Sequence, residues 1–110
     1  MIEISLVRSK DGQLRSCTAS GHAGYAKKGF DIVCAGISSL LRTVQCLLES
    51  DAGISLVSDS PEPGSLAFQV QSCDGASKAL SVHCCDFLRC GIKLVADEYP
   101  DYVSLRVQTE

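Results

Sequence analysis

A histidine and a cysteine lie twelve residues apart in the segment GHAGYAKKGFDIVC, which covers residues 21–34. A cysteine thiolate is a good nucleophile, and a nearby imidazole can take the thiol proton and later return it to a leaving group. His22 and Cys34 therefore predict nucleophilic catalysis, provided that the fold brings them together. Gly21, Gly24 and Gly29 make the loop between them rich in glycine, which predicts an exposed and mobile connection.

Each of these residues also has an ordinary structural explanation. A free cysteine is often a small buried apolar residue, and a histidine in such a loop is more often exposed or bonded within a turn. Asp31 is placed to cap a helix, which is a commoner role for it than catalysis. Ser38 either assists the site from one turn after Cys34 or bonds back to a helix carbonyl. The residue types alone leave these alternatives open.

Hydrophobic periodicity predicts the elements that position this segment. Apolar residues alternate over 2–8, and a turn at Lys10, Asp11 and Gly12 leads into a second strand over about 13–20, which predicts a hairpin. From Asp31 the apolar spacing changes to three and four residues, which predicts an amphipathic helix that ends at 51–53. Two strands around a Pro- and Gly-rich break at 61–64, a second helix and a last strand follow, over 54–57, 66–70, about 74–99 and 103–107.

The apolar residues of the two helices predict one buried stripe on each. The first stripe comprises Val33, Ile37, Leu40, Leu41, Val44, Leu47 and Leu48, and the second comprises Ala76, Leu80, Cys84, Phe87, Leu88 and Val95. Two such helices cover one face of a sheet. The order ββαββαβ therefore predicts a single α+β domain over 1–110: a two-layer sandwich with two main helices on a mostly antiparallel sheet of about five strands.

The predicted helix start gives Cys34 a particular environment. With Asp31 as the cap, the thiol lies in the first helical turn, among backbone N–H groups at the positive end of the helix dipole. Those groups favour a thiolate and can donate to a developing oxyanion. Because His22 follows the second strand directly, the nucleophile, the base and the oxyanion donors are all expected at one junction between loop and helix.

Composition excludes several other classes of protein. The net charge of −3 and the scattered ten Lys and Arg residues argue against a nucleic-acid surface. No apolar stretch approaches the ~20 residues of a membrane span, and the N-terminus lacks a signal-peptide pattern. The seven cysteines are odd in number and lack zinc-ligand spacing, so a reducing cytosol and no metal are expected. Motifs for serine hydrolases and for nucleotide binding are missing from the sequence.

The segment from residue 21 to residue 38 resembles the signature of the bacterial ribosomal-processing cysteine protease family, called Prp. In that signature G-H-A, a loop, G-x-D-x-V-C-A and a serine follow one another. The matching residues are Gly21, His22, Ala23, Gly29, Asp31, Val33, Cys34, Ala35 and Ser38. Gly36, where alanine or another small residue is expected, is a mild departure. Chain length and the arrangement of helices and strands are similar to the family throughout.

The resemblance implies a cytoplasmic, homodimeric cysteine endopeptidase without a cofactor. Its substrate is implied to be the N-terminal extension of a large-subunit ribosomal protein, the one numbered twenty-seven. Cys34 is implied to be the nucleophile and His22 the general base and acid, with Gly24 and Gly29 in a loop that covers the substrate. Asp31, Ser38 and Gly21 are implied to be supporting residues.

Two other functions remain open on the residues alone. The first is a ribosome-associated binding or assembly module without chemistry of its own, because the dyad lacks an obvious third member. The second is a thiol redox sensor, in which Cys17 on the second strand would be the resolving cysteine for Cys34.

Overall fold

The computed structural model describes residues 1–27, 30–59 and 65–110. Its elements run in the predicted order: β1 (Ile2–Arg8), β2 (Leu14–Ser20), α1 (Ile32–Glu49), β3 (Ile54–Asp59), β4 (Leu66–Cys73), α2 (Lys78–Glu98) and β5 (Val103–Thr109). Gly29 and the predicted break at 61–64 lie outside the described residues.

The strands form one mixed sheet in the order β3-β4-β2-β1-β5. Neighbouring strands are antiparallel except for β1 and β5, which pair in parallel from Ile2 with Val103 to Arg8 with Thr109. β4 and β5 also run parallel, with β2 and β1 between them in the sheet, and α2 is the crossover connection that joins them. The predicted α+β fold, with two helices on a mostly antiparallel five-stranded sheet, is confirmed.

Some boundaries differ from the prediction. β3 and β4 are longer, because their pairing continues to Ile54 with Cys73 at one end and to Asp59 with Ala67 at the other. Backbone hydrogen bonds extend these strands past the apolar alternation that marks their centres. The second helix starts later than predicted, because Gly75–Ser77 forms a separate 3-10 turn.

α1 and α2 pack against each other and against the face of the sheet that carries Ile2, Ile4 and Leu6. The buried residues of α1 are Val33, Ile37, Leu41, Val44 and Leu48. The buried residues of α2 are Ser81, Cys84, Cys85, Leu88 and Ile92. A Cβ at Gly91 of α2 would lie 3.2 Å from Leu40 Cδ1, so this glycine permits the close approach of the two helices.

Three predicted core positions are wrong. Leu47 and Phe87 remain 49% and 48% exposed, and Ala76 is exposed in the 3-10 turn. Successive helix residues point about 100° apart, so burial of one turns its neighbour outward. Leu48 and Leu88 occupy the core, and Leu47 and Phe87 therefore face the outer surface of the helix layer.

α1 has the length and composition of a membrane-crossing helix, and within the described residues it is the only helix that does. The sequence predicts no apolar stretch near the ~20 residues of a membrane span, whereas α1 has 18 residues with charges only at Arg42 and Glu49. The core helix of a globular domain passes the same test, and five side chains of α1 are buried in the core against the sheet and α2.

Candidate active site

Cys34 is the third residue of α1 and is half-buried. Its backbone N–H donates to Oδ1 of Asp31 at 3.0 Å. Asp31 has the extended backbone of an N-cap residue, with φ −82° and ψ 97°, so the predicted cap is confirmed. The thiol consequently lies in the first helical turn, at the positive end of the α1 dipole.

The loop that follows β2 returns to this thiol. The N–H of Ala23 donates to Sγ of Cys34 at 3.3 Å, and Ala23 is only 4% exposed. An N–H group aimed at sulfur is suited to a thiolate, because hydrogen bonds to a charged form favour that form. Reasoning from the sequence missed this contact. The signal available for it is a small apolar residue between Gly21 and Gly24.

His22 immediately precedes Ala23, and its side chain is exposed. The main chain at His22 is therefore held beside Cys34, as expected for a strand end and a helix start joined by a loop. Across the described ranges, the thiol is contacted by the Ala23 amide, and the His22 imidazole makes no hydrogen bond to it.

Two glycines shape the path of the loop. Gly21 has φ +91° and Gly24 has φ +73°, a region that residues with a Cβ rarely adopt. A Cβ at Gly21 would also collide with the carbonyl oxygen of Met1. At Gly24 a Cβ would meet nothing within 4 Å, so only the backbone conformation requires glycine there.

The Asp31 carboxylate joins the loop to the helix. Its Oδ1 accepts from Cys34, and its Oδ2 accepts from the N–H of Tyr25 at 3.1 Å. Burial raises the pKa of this carboxyl, but hydrogen bonds from the backbone of Cys34, Ala26 and Tyr25 and from the Cys34 side chain outweigh burial. The pKa of Asp31 is therefore below its ordinary value of 3.8, and the group is ionised at neutral pH.

Ser38 lies one turn after Cys34 on α1 and is exposed. It contributes to a surface groove along the helix with Ala35, Ser39 and Arg42. Of the described side chains in α1, Thr43 makes the backward bond expected of Ser38, donating to the carbonyl of Ser39 at 2.6 Å. Ser38 is thus outside the set of hydrogen bonds that joins Ala23, Asp31 and Cys34.

A family model described as cysteine protease Prp matches residues 1–104 of the chain. The chain belongs to the Prp family. Ribosomal processing cysteine protease Prp of Mycoplasma pneumoniae is 34% identical to it over 91 residues, which cover 83% of this chain and 85% of the relative.

Solved structures share the whole fold. A Streptococcus mutans protein is 28% identical with a TM-score of 0.77, and the match covers 100% of this chain and 96% of that one. The essential ribosomal processing protease Prp from S. aureus, crystallised with a covalently linked product peptide, is 17% identical with a TM-score of 0.84. That match covers 98% of this chain and 100% of the S. aureus chain. At this identity the S. aureus likeness concerns the fold alone.

Membership of the Prp family makes this chain a cysteine protease, which is the enzyme class that the sequence predicts. A binding module without chemistry does not account for that membership.

The remaining thiols of this Prp chain differ from Cys34 in their surroundings. All seven cysteines are free. Burial, together with the nearby Cys85, raises the pKa of Cys17 to about 12. Burial likewise raises the pKa of Cys73, Cys84 and Cys85. Thiols that ionise so reluctantly are poor nucleophiles, and Cys17 is unsuited to be a resolving cysteine for Cys34.

Within the described part of the Prp fold, no three side chains of His, Cys, Asp or Glu form a group that could hold a metal ion. His83 is exposed whereas its neighbour Cys84 is buried. This divergence, which helical geometry predicts, keeps these two residues from acting as a second cysteine–histidine pair.

Proposed function

We propose that the chain is an endopeptidase in which Cys34 is the nucleophile and His22 the general base and acid. The observation that carries the proposal is the contact between the Ala23 N–H and Cys34 Sγ. It gives one thiol, in the first turn of a capped helix, a backbone donor from the segment that holds His22. Family membership supplies the class of reaction, and this contact supports the choice of residue.

The surroundings of the other cysteines support the same choice. Cys17, Cys84 and Cys85 are buried in the core, where substrate has no access. Cys46 and Cys90 are exposed, but Cys46 lies in the last turn of α1 and Cys90 in the fourth turn of α2, away from the positive helix ends that stabilise a thiolate. Cys34 is therefore the thiol best suited to peptide hydrolysis.

The proposed reaction proceeds in two steps. The Cys34 thiolate attacks the scissile carbonyl carbon, the C–N bond breaks, and His22 donates a proton to the leaving amine. Water then attacks the thioester while His22 takes its proton, which releases the new carboxyl terminus and regenerates the thiol. Backbone N–H groups at the start of α1 are suited to stabilise the oxyanion in both steps. The imidazole must approach Cys34 when substrate binds, and such contacts often tighten only in the complex.

The supporting residues act on the backbone in this proposal. Asp31 holds the helix start and the loop together through its two hydrogen bonds. Gly21 has no Cβ, so the chain can pass close to the Met1 carbonyl as it leaves β2. Gly24 turns the loop that covers the substrate, and Gly29, outside the described residues, belongs to the same loop. Ser38 is proposed to contact substrate from the exposed groove along α1 rather than to assist Cys34 directly.

The proposed substrate is the N-terminal extension of large-subunit ribosomal protein twenty-seven, bound as an extended peptide beside the loop. The Mycoplasma pneumoniae relative is described as ribosomal processing, and the S. aureus protease was crystallised with substrate and product peptides. These descriptions support a peptide substrate of this origin. We also propose that the enzyme acts in the cytoplasm as a homodimer, without nucleic acid or membrane as a direct partner.

Mass spectrometry of the extended ribosomal protein incubated with the enzyme tests the proposal. Cleavage at a single site is expected with the wild type and with Cys46→Ser, which changes an exposed cysteine of the same helix. Cys34→Ala, Cys34→Ser and His22→Ala are expected to lose cleavage. Full cleavage by Cys34→Ala would sink the assignment of the nucleophile.

A further inference from the structure

Tyr25, in the loop between β2 and α1, contacts two tyrosines from the other end of the chain. Its ring meets Tyr99 edge-on, with centroids 5.4 Å apart and planes at 83°. It meets Tyr102 in the same way, at 5.3 Å and 80°. Edge-to-face pairs at these distances are favourable beyond the area that they bury. We call these three rings the tyrosine clamp.

Tyr99 and Tyr102 form a fixed support for Tyr25. Tyr99 is the C-cap residue of α2, and its N–H donates to the carbonyl of Val95 at 2.8 Å. The backbone N–H of Tyr102 donates to the Tyr99 carbonyl at 3.0 Å. The backbone carbonyl of Tyr102 accepts from the N–H of Ile2 at 2.9 Å. Both rings are partly buried against the core. The loop is therefore attached to a part of the fold that is remote in sequence from Cys34.

A short stretch of main chain connects the tyrosine clamp to the residue that contacts the Cys34 thiol. Gly24 separates Ala23, whose N–H contacts Cys34 Sγ, from Tyr25, whose N–H contacts Asp31. Asp31 accepts in turn from the N–H of Cys34. These hydrogen bonds link the loop to the start of α1 on both sides of the Cys34 thiol. The Tyr25 ring in turn attaches the loop to the connection between α2 and β5, where Tyr99 and Tyr102 lie.

We propose that Tyr25 is a positioning residue that holds the loop, through the tyrosine clamp, with the Ala23 amide on Cys34 Sγ. The inference rests on the proposed function, in which Cys34 and His22 carry out the hydrolysis. Without the ring, the loop keeps its two ends but loses its attachment to the support. The aligned conformation then becomes one of several, and only the fraction of molecules that adopt it reacts.

Alkylation of Cys34 by iodoacetamide, followed by peptide mapping, tests this without a substrate. Tyr25→Ala removes two ring pairs and is expected to slow Cys34 alkylation at neutral pH by about ten-fold. The same variant is expected to lower kcat for peptide hydrolysis more than it changes KM. Tyr25→Phe keeps the ring contacts and is expected to restore both. Phe30→Ala removes an aromatic residue of the same loop that is 70% exposed, and serves as the matched control for alkylation.

Combining variants separates the clamp from a general loosening of the fold. If Tyr25 acts through its support, adding Tyr99→Ala to Tyr25→Ala is expected to slow alkylation little beyond Tyr25→Ala alone, because the ring that Tyr99 contacts is then already absent. Thermal unfolding of each variant checks that it is folded. Additive losses, or a Tyr25→Ala variant that reacts like the wild type while Cys34→Ala is inactive, would overturn this inference alone. Cleavage by Cys34→Ala would overturn the proposed function and this inference with it.

Discussion

The N–H of Ala23 lies 3.3 Å from Sγ of Cys34 and donates to it, so the loop after β2 and the first turn of α1 meet at the thiol. The contact depends on a side chain small enough to enter the core, since Ala23 is 4% exposed. At Ala23 the packing of the methyl side chain in the core thus determines where the backbone N–H lies. A change in the side chain is expected to disturb the hydrogen bond from this N–H to Cys34 Sγ.

Enlarging Ala23 is the direct test of that coupling. Ala23→Val adds two methyl groups at a filled site, and we expect the free energy of unfolding to fall by about 1–3 kcal/mol. Because the backbone must move to admit them, Cys34 alkylation is expected to slow as well. Ala19→Val, at another buried alanine near the end of β2, is the matched control and should reduce stability without slowing alkylation. Equal slowing in both variants would contradict a specific role for Ala23.

Gly21 and Gly24 provide a matched pair for backbone effects. Both have positive φ, but only Gly21 lies against the Met1 carbonyl. Gly24→Ala is expected to cost about 1–2 kcal/mol of unfolding free energy, from the left-handed conformation alone. Gly21→Ala adds a steric collision with main chain and is expected to cost more, about 3 kcal/mol or above. Urea unfolding measures both, and a Gly24 variant that is the less stable of the two would refute this reading of the loop.

Local chemistry explains why the helix start was predictable from the sequence. An acidic residue followed by apolar residues at helical spacing has few alternatives to an N-cap, and Asp31 has that role. The β1–β2 hairpin follows from its turn in the same way, because Gly12 adopts φ +87°. Cys34 could thus be assigned to a first helical turn before its contacts were known.

Contacts between distant parts of the chain could not be predicted from local sequence patterns. Phe87 and Leu88 are adjacent and both apolar, and only the packing of α2 on α1 and the sheet decides which is buried. Tyr25 meets Tyr99 and Tyr102 more than seventy residues later in the chain, and no local pattern links them. The same limit explains why the Ala23 contact was missed while the motif around it was recognised.

Buried thiols are expected to resist modification in the folded protein. Burial raises the pKa of Cys17 to about 12, so almost none of it is ionised at neutral pH. Iodoacetamide should therefore modify Cys17 only after unfolding in urea, while the exposed Cys46 should react in both states. Peptide mapping after a short exposure measures this. Rapid labelling of Cys17 in the native protein would show that the core opens readily.

Acid should remove the contribution of the Asp31 charge to stability. Asp31→Ala deletes the N-cap acceptor and is expected to lower the free energy of unfolding by about 1 kcal/mol, whereas Asp31→Asn keeps an acceptor and should cost less. Because hydrogen bonds hold the folded pKa of Asp31 below 3.8, its carboxylate stabilises the folded state above that pH. This stabilisation is lost as the pH falls through the folded pKa. The difference in unfolding free energy between wild type and Asp31→Asn should then be constant near neutral pH and shrink below pH 3.8, as urea unfolding across pH measures. A difference that grew towards acid would mean that the charge opposes folding, contrary to the two amides that face it.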